Sequence, residues 1–220
     1  MFKVFNVKYF FIILVAASFG FFSSCSKGVS LKISDQDVYA FGSQESCNFI
    51  TSNGYRISWK SSPPISFIIT ADVPAEYDSE ISKAVDIWNK GNGHQLITVY
   101  RNNNLSTTPA VDQVNAIYWM KTWDDDLPKQ QARTGVHWDG NKLTDADIRI
   151  NGKNFTFYKD GDVDTFGKVH FQSLILHEFG HALGLVHIEQ PDSVMQAYLK
   201  SQTVRVQPAS VDLNSLSCEY

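Results

Sequence analysis

The pattern of apolar and polar residues along the chain predicts a domain of short strands and helices. Runs of β-branched and aromatic residues that are separated by turns rich in Asn, Asp and Gly are typical of β-strands. Five such runs occur, at residues 65–70, 96–100, 116–120, 134–138 and 146–150. They predict a sheet of about five strands.

Two segments have the apolar spacing of an amphipathic helix. The first places four apolar residues on one face: Ile81, Ala84, Val85 and Trp88. We expect Asp78 or Ser79 to cap its N-terminus and Gly91 to end it. The second segment covers residues 169–183. An α+β fold, in which one helix lies behind the sheet, is the economical assembly of these elements.

The first residues follow a different pattern. Lys3 and Lys8 lie in a charged start, and residues 10–22 form an unbroken apolar run before small residues. This pattern predicts an export signal over residues 1–24. A membrane span needs about 20 apolar residues, so an uncleaved anchor is the weaker alternative.

The end of this leader resembles a bacterial lipoprotein box. In such a box the cysteine becomes the lipidated first residue, and the sequence FSSC places Cys25 at that position. We therefore expect a lipid on Cys25, which would tether the protein to the cell envelope or surface without a transmembrane helix. The alternative is a secreted product cut near Ser24.

Composition indicates one domain of ordinary globular character. The chain has 220 residues, of which 43% are hydrophobic, and this is enough for one sizeable core. Residues 25–53 are polar and rich in Ser, Gly and Asp, so we interpret them as a tether or short pro-segment before a folded domain at 54–220. The net charge of −4 and the lack of a Lys/Arg cluster argue against a nucleic-acid partner. We expect a monomer.

The most informative stretch is HEFGHALGLVH, residues 177–187. His177 and His181 are one helical turn apart, so both imidazoles can reach one metal ion. Catalytic zinc commonly takes three protein ligands and leaves a fourth position for water. In a continuing helix His187 would lie about 240° around from His181. Gly184 allows the chain to turn and to bring His187 to the ion.

Glu178 follows the first histidine but lies about 100° around the helix, beside the ion. This position suits a general base that takes a proton from zinc-bound water. A protein that only holds zinc needs the histidines but no such carboxylate. We therefore favour an enzyme, and the alternative is a zinc-holding or partner-binding surface lipoprotein without useful turnover.

These residues match H-E-x-x-H-x-x-G-x-x-H, the signature of metzincin zinc endopeptidases, and they most resemble the matrixin branch. The resemblance covers about residues 55–220. It implies a metzincin-like catalytic domain: a twisted mixed sheet with a backing helix, an active-site helix and a C-terminal helix. It also implies hydrolysis of extended protein or peptide substrates with one catalytic zinc, and Met195 as the Met-turn beneath the metal.

Two further segments resemble matrixin elements. Residues 146–150 resemble the edge strand that pairs with an extended substrate. The sequence SVDLNSL, Ser210 to Leu216, resembles the C-terminal helix, with Ser210 as its cap. Both assignments follow from the resemblance.

The remaining cysteines are Cys47 and Cys218, near the two ends of the mature chain. An exported protein favours a disulfide between them, and the matrixin resemblance agrees, since in that fold the N-terminal segment can lie against the C-terminal helix. The alternatives are two free thiols, or Cys47 as an inhibitory zinc ligand.

Calcium is the other candidate cofactor. Residues 160–164, DGDVD, are calcium-like, but Thr165 replaces the glycine of an EF-hand loop and Phe171 replaces its bidentate glutamate. We favour a solvated acidic loop over a calcium site. The histidine motifs of a second, structural zinc are absent, so we expect one zinc.

Overall fold

The computed structural model describes residues 30–31 and 47–220. The predicted signal, Cys25 and most of the predicted tether lie outside the described residues. None of the helices in the described part is long and apolar enough to cross a membrane. The strands are β1 Ser30–Leu31, β2 Thr51–Ser52, β3 Tyr55–Arg56, β4 Ile65–Ile69, β5 Ile97–Arg101, β6 Ala116–Met120, β7 Ala132–Asp139, β8 Lys142–Asn151, β9 Phe157–Tyr158 and β10 Val169–His170; the helices are α1 Asp78–Asn92, α2 Phe171–Ala182 and α3 Ser210–Leu216.

The main sheet is mixed, with the strand order β1-β7-β8-β6-β4-β5. Strands β4, β5, β6 and β8 are parallel to one another, whereas β7 is antiparallel to both β8 and β1. The five longer strands and three helices confirm the predicted α+β class.

The prediction that residues 146–150 form the edge strand beside the substrate was wrong. Residues 146–150 belong to β8, which lies between β6 and β7. The strand at that side of the sheet is β7, and the two residues of β1 pair only with Val136 and His137. Residues 145–148 are all buried, as expected for a central strand that is covered on both faces.

Helix α1 begins and ends differently from the prediction. Asp78 is its first residue and its carboxylate accepts a hydrogen bond from Arg101 Nε at 2.9 Å, so it does not cap the helix. Gly91 lies inside the helix, and a Cβ there would come 2.6 Å from Leu213 of α3. The helix ends at Gly93, which has a φ of 79°.

The folded unit also begins earlier than the predicted boundary between residues 53 and 54. Phe49 and Ile50 are buried in the main core. The Ile50 amide donates to Gly184 O at 2.8 Å, and Val186 N donates to Asn48 O at 3.1 Å. The apolar pair Phe49–Ile50 within a polar segment was the sequence signal for this earlier start. The hydrogen bonds to residues 184–186 fix the position of residues 48–50.

A disulfide joins this N-terminal segment to the end of the chain. The sulfur atoms of Cys47 and Cys218 are bonded in the structure. The Asn48 amide also donates to Ser215 Oγ at 3.1 Å, and Glu219 accepts hydrogen bonds from Ser58 and Lys60 at 2.7 and 2.8 Å. The N-terminal segment is therefore fastened to α3 and to the residues that follow it.

The helices and the sheet enclose the main core. Trp88 of α1 is fully buried and its Nε1 donates to Leu176 O of α2 at 2.9 Å. Phe67 of β4 packs edge-on against Phe179 of α2. A separate, smaller cluster that includes Ile68 and Tyr118 lies apart from this core. The sheet thus carries helices on one face and, on the other, this small cluster with apolar loop residues such as Leu105 and Val114.

That second face contains two buried carboxylates of β8. Asp145 and Asp147 are 1% and 3% exposed. Burial, and secondarily the charge of Asp145, raises the pKa of Asp147 to about 7. Asp147 has a pKa of about 3.9 in an unfolded chain. The native state therefore holds more protons between these values, and Asp147 lowers stability increasingly as the pH rises from 4 to 7.

The substitution Asp147→Asn should consequently raise the free energy of unfolding, and more so at high pH. The amide keeps an acceptor for the Ala116 N–H, which Asp147 Oδ1 binds at 3.3 Å. We expect a gain on the order of 2–4 kcal/mol at pH 8 that shrinks to about 1 kcal/mol by pH 5. Urea unfolding at both pH values measures it, with the exposed Asp126→Asn as the matched control. A difference that is independent of pH would contradict the assignment.

Candidate metal centre and active site

Helix α2 and the turn after it position the three histidines. His177 and His181 lie in the second half of α2, one turn apart. At Gly184 the chain has a φ of +101°, and a Cβ there would come 2.7 Å from Ile57 O. Leu185 N donates back to Gly180 O at 2.9 Å, which closes the turn. The chain therefore reverses and brings His187 to the other two rings.

The three Nε2 atoms converge. The distance from His181 Nε2 to His177 Nε2 is 3.0 Å, that to His187 Nε2 is also 3.0 Å, and the third separation is 3.2 Å. In a tetrahedral site with Zn–N bonds of about 2.0–2.1 Å, ligand nitrogens are about 3.3–3.4 Å apart. The triad therefore fits a zinc ion with little adjustment.

The hydrogen bonds of the other ring nitrogens favour metal binding. His177 Nδ1 lies 2.7 Å from Val194 O, and His181 Nδ1 lies 2.8 Å from Leu185 O. A carbonyl oxygen only accepts, so each Nδ1 carries the proton and each Nε2 keeps its lone pair. Hydrogen bonds of this kind, made by the ring nitrogen that does not bind the ion, orient metal-binding histidines.

Burial keeps the three imidazoles neutral. It lowers the pKa of His177 well below its ordinary value, and the neighbouring histidines lower it further. Burial lowers the pKa of His181 to about 4 and, together with His181, that of His187 to about 3. At neutral pH the triad thus presents lone pairs rather than positive charges, which is the state that a cation requires.

The acidic stretch at residues 160–164 does not form a comparable cluster. Asp160 contacts His170 Nε2 at 3.1 Å, Asp162 accepts the Lys159 amide at 2.9 Å, and Asp164 pairs with Lys168 at 3.0 Å. Within residues 47–220, the histidine triad is the one group of three or more His, Cys, Asp or Glu side chains that can share an ion. A calcium site at 160–164 thus gains no support.

Glu178 lies beside the triad and is held by a threonine. Its side chain is 3% exposed, and its Oε2 accepts a hydrogen bond from Thr134 Oγ1 at 2.6 Å. Thr134 belongs to β7 and is itself buried. The sequence placed Thr134 in a strand, but no local pattern indicated that this strand would contact Glu178.

Met195 lies against the active-site helix. It is fully buried, and a Cβ added at Gly180 would come 2.2 Å from its sulfur. Its carbonyl accepts the Ile188 amide at 3.1 Å, directly after His187. The turn that contains Met195 therefore contacts both the helix that carries two histidines and the segment that carries the third.

Asp212 of α3 holds this turn and was missed in the sequence. It is 2% exposed; its Oδ1 accepts from Ser193 Oγ at 2.5 Å, and its Oδ2 accepts from the Val194 and Ala209 amides at 3.0 and 2.8 Å. Ala209, not Ser210, is the N-cap residue of α3. An acid three residues after a cap was the signal that could have identified Asp212.

A small cavity opens next to His177 and Glu178. Its volume is about 40 Å³, and its other walls come from residues 129, 131–132, 173–174, 194 and 196–199 together with Arg205. Arg205 Nη2 donates to Gln196 Oε1 at 2.6 Å, and burial lowers the pKa of the guanidinium. The cavity is thus narrow and has a basic side chain in its wall.

Comparison with known proteins gives one family. Residues 59–220 match the model of the matrixin peptidase family, Peptidase M10, and this range contains every site residue described above. Among curated proteins the chain finds no match. Because the match covers most of the chain and includes the histidine triad, the protein belongs to the matrixin family of metallopeptidases.

Proposed function

We propose that the protein is an exported zinc-dependent endopeptidase that hydrolyses extended protein substrates. One observation carries the proposal: three neutral imidazole nitrogens converge within 3.0–3.2 Å of one another, next to a buried carboxylate on the same helix. His177, His181 and His187 would hold one zinc ion. Binding alone would need the three histidines but not Glu178.

Each group then has a chemical task. Zinc, when bound, polarises the substrate carbonyl and lowers the pKa of water. Glu178 is the general base: its carboxylate takes the proton of the attacking water and delivers it to the leaving amine. The hydroxyl of Thr134 fixes the orientation of Oε2 through the 2.6 Å hydrogen bond. Burial of Glu178 keeps bulk water away from this proton transfer.

The edge of β7 is the proposed docking site for the substrate backbone. Ala132 lines the small cavity and Thr134 contacts Glu178, so this strand passes directly by the site. Further along the same edge, Val136 and His137 pair antiparallel with Ser30–Leu31, which supports the capacity of β7 to accept an added strand. An extended substrate would bind in the same mode, by β-augmentation.

The localisation rests on the leader sequence. We propose that residues 1–24 direct export and that lipid on Cys25 tethers a monomeric enzyme to the cell envelope or surface, with the secreted form as the alternative. The disulfide between Cys47 and Cys218 supports an oxidising compartment.

Glu178→Ala should abolish proteolysis without loss of zinc. Removal of a general base costs about 10²–10⁴-fold in rate, so cleavage of casein and of a quenched-peptide library should fall by that factor while about one zinc per chain remains bound. A chelator should abolish activity in the unaltered protein, and added zinc should restore it. Zinc binding without cleavage by the unaltered, folded protein would favour the zinc-holding alternative.

Thr134→Val should lower kcat and leave KM nearly unchanged, because the hydroxyl acts on Glu178 and not on the substrate. Loss of a group that orients a reacting side chain costs about 10–100-fold. Thr134→Ser keeps the hydroxyl and should retain most of the activity. Zinc content, measured on both variants, separates this role from a defect in the metal site. Equal kcat values for the serine and valine variants would contradict the positioning role.

Lipidation predicts a defined N-terminus. Mass spectrometry of protein from the membrane fraction should find a chain that begins at Cys25 and carries acyl groups. Cys25→Ala should release the protein into the soluble fraction, whereas the neighbouring Ser24→Ala should not. An unmodified Cys25, or a chain that begins elsewhere, would contradict the tether.

A further inference from the structure

Two arginines face each other on the sheet surface that the helices do not cover. Arg133 of β7 and Arg149 of β8 are direct cross-strand partners. Like charges at such positions destabilise a sheet unless other groups compensate them. A negatively charged group beside the pair would therefore stabilise it.

The protein supplies that partner for Arg133. Its Nη2 lies 2.9 Å from Asp124 Oδ2, and its Nε donates to Gln130 Oε1 at 2.9 Å. The guanidinium also lies 5.5 Å from the centre of the Trp123 ring, within the range of a cation–π contact. The side chain of Arg133 is only 9% exposed, so its position is defined by these contacts.

A cavity of about 280 Å³ lies beside the two arginines. We call it the arginine pocket, and its walls are Met120, Thr122, Trp123, Asp124, Arg133 and Arg149. Two buried hydrogen-bond donors of these walls, Arg149 Nε and Trp123 Nε1, lack an acceptor, as does Gln130 Nε2 behind Arg133. All three atoms are hydrogen-bond donors, so a group that supplies acceptors would satisfy them.

The charges of the pocket define its ligand. Among the wall residues, two guanidiniums and the carboxylate of Asp124 leave one positive charge, which one singly charged anion neutralises. Asp147, the next carboxylate along β8, is buried and has a pKa raised to about 7, so it offsets the charge of Arg149 only in part. The planar fork of an arginine matches a carboxylate with two parallel hydrogen bonds. Met120 and the Trp123 ring offer apolar surface for the carbon chain that bears this carboxylate.

We propose that the arginine pocket binds a small organic carboxylate. The carboxylate accepts hydrogen bonds from Arg149 and from the Trp123 indole, and its charge completes the compensation of the arginine pair. The pocket lies on the opposite face of β7 from Thr134 and Glu178. It is therefore a second site, and it does not depend on the peptidase activity.

Propionate is a suitable probe, and propionamide is its uncharged control. Calorimetric titration of the full, zinc-loaded chain at constant ionic strength should give saturable binding of propionate and none of propionamide. Arg149→Met keeps the apolar stem and should raise Kd about tenfold. Trp123→Phe keeps the ring but loses the N–H and should raise Kd about threefold. Lys121→Met removes an exposed charge near the pocket and should leave Kd unchanged.

Other results would overturn the proposal. Binding that is insensitive to Arg149→Met and Trp123→Phe would place propionate elsewhere, for example at the zinc ion. Equal weakening in Lys121→Met would indicate a general charge effect, and absence of saturation would indicate a hydrated cavity without a ligand. Stronger binding of inorganic phosphate than of propionate would contradict the class of ligand. If Arg149→Met fails to fold by circular dichroism, Arg149→Lys keeps the charge without the fork and should still raise Kd.

Discussion

The left-handed turn at Gly184 is the constraint on which the rest of the site depends. Its φ of +101° and the 2.7 Å approach to Ile57 O leave no room for a side chain. Without this turn α2 would continue, and His187 would point away from His177 and His181. The turn is held from outside by Asn48 and Ile50, whose backbones pair with residues 184–186. An N-terminal segment far away in sequence thus fixes the third ligand position.

A second line of contacts reaches the triad from the end of the chain. Asp212 of α3 binds the amide of Val194, and the carbonyl of the same residue accepts the Nδ1–H of His177. The carboxylate therefore acts on the histidine through the backbone of one residue, Val194, and it orients the ring without contacting it. The disulfide between Cys47 and Cys218 joins the N-terminal segment to the residue stretch after α3. The segment that holds the Gly184 turn and the helix that holds Val194 are therefore covalently linked.

The sequence could predict what is local. Helical spacing placed His177, His181 and Glu178, and the special conformation of glycine identified the turn at Gly184. Strand positions followed from β-branched runs. The features that the sequence could not predict depend on partners far along the chain. Gly91 lies inside α1, where Leu213 leaves no room for a side chain. Asp78 binds Arg101 instead of capping α1. The edge position of β7 and its Thr134–Glu178 contact likewise depend on strand order, which no single segment encodes.

The residues that β8 buries differ between the two faces of the sheet. Towards the helices, Ile148 and Ile150 pack in an apolar core. On the other face, Asp145 and Asp147 are buried without a helix layer above them, and Asp145 accepts hydrogen bonds from the amides of the 112–113 loop. Burial raises the pKa of both carboxyl groups. Such groups cost stability unless they are paired. An anion bound beside Arg149 would offset part of this cost, which is the physical basis for placing a second binding site on this face and not in the core.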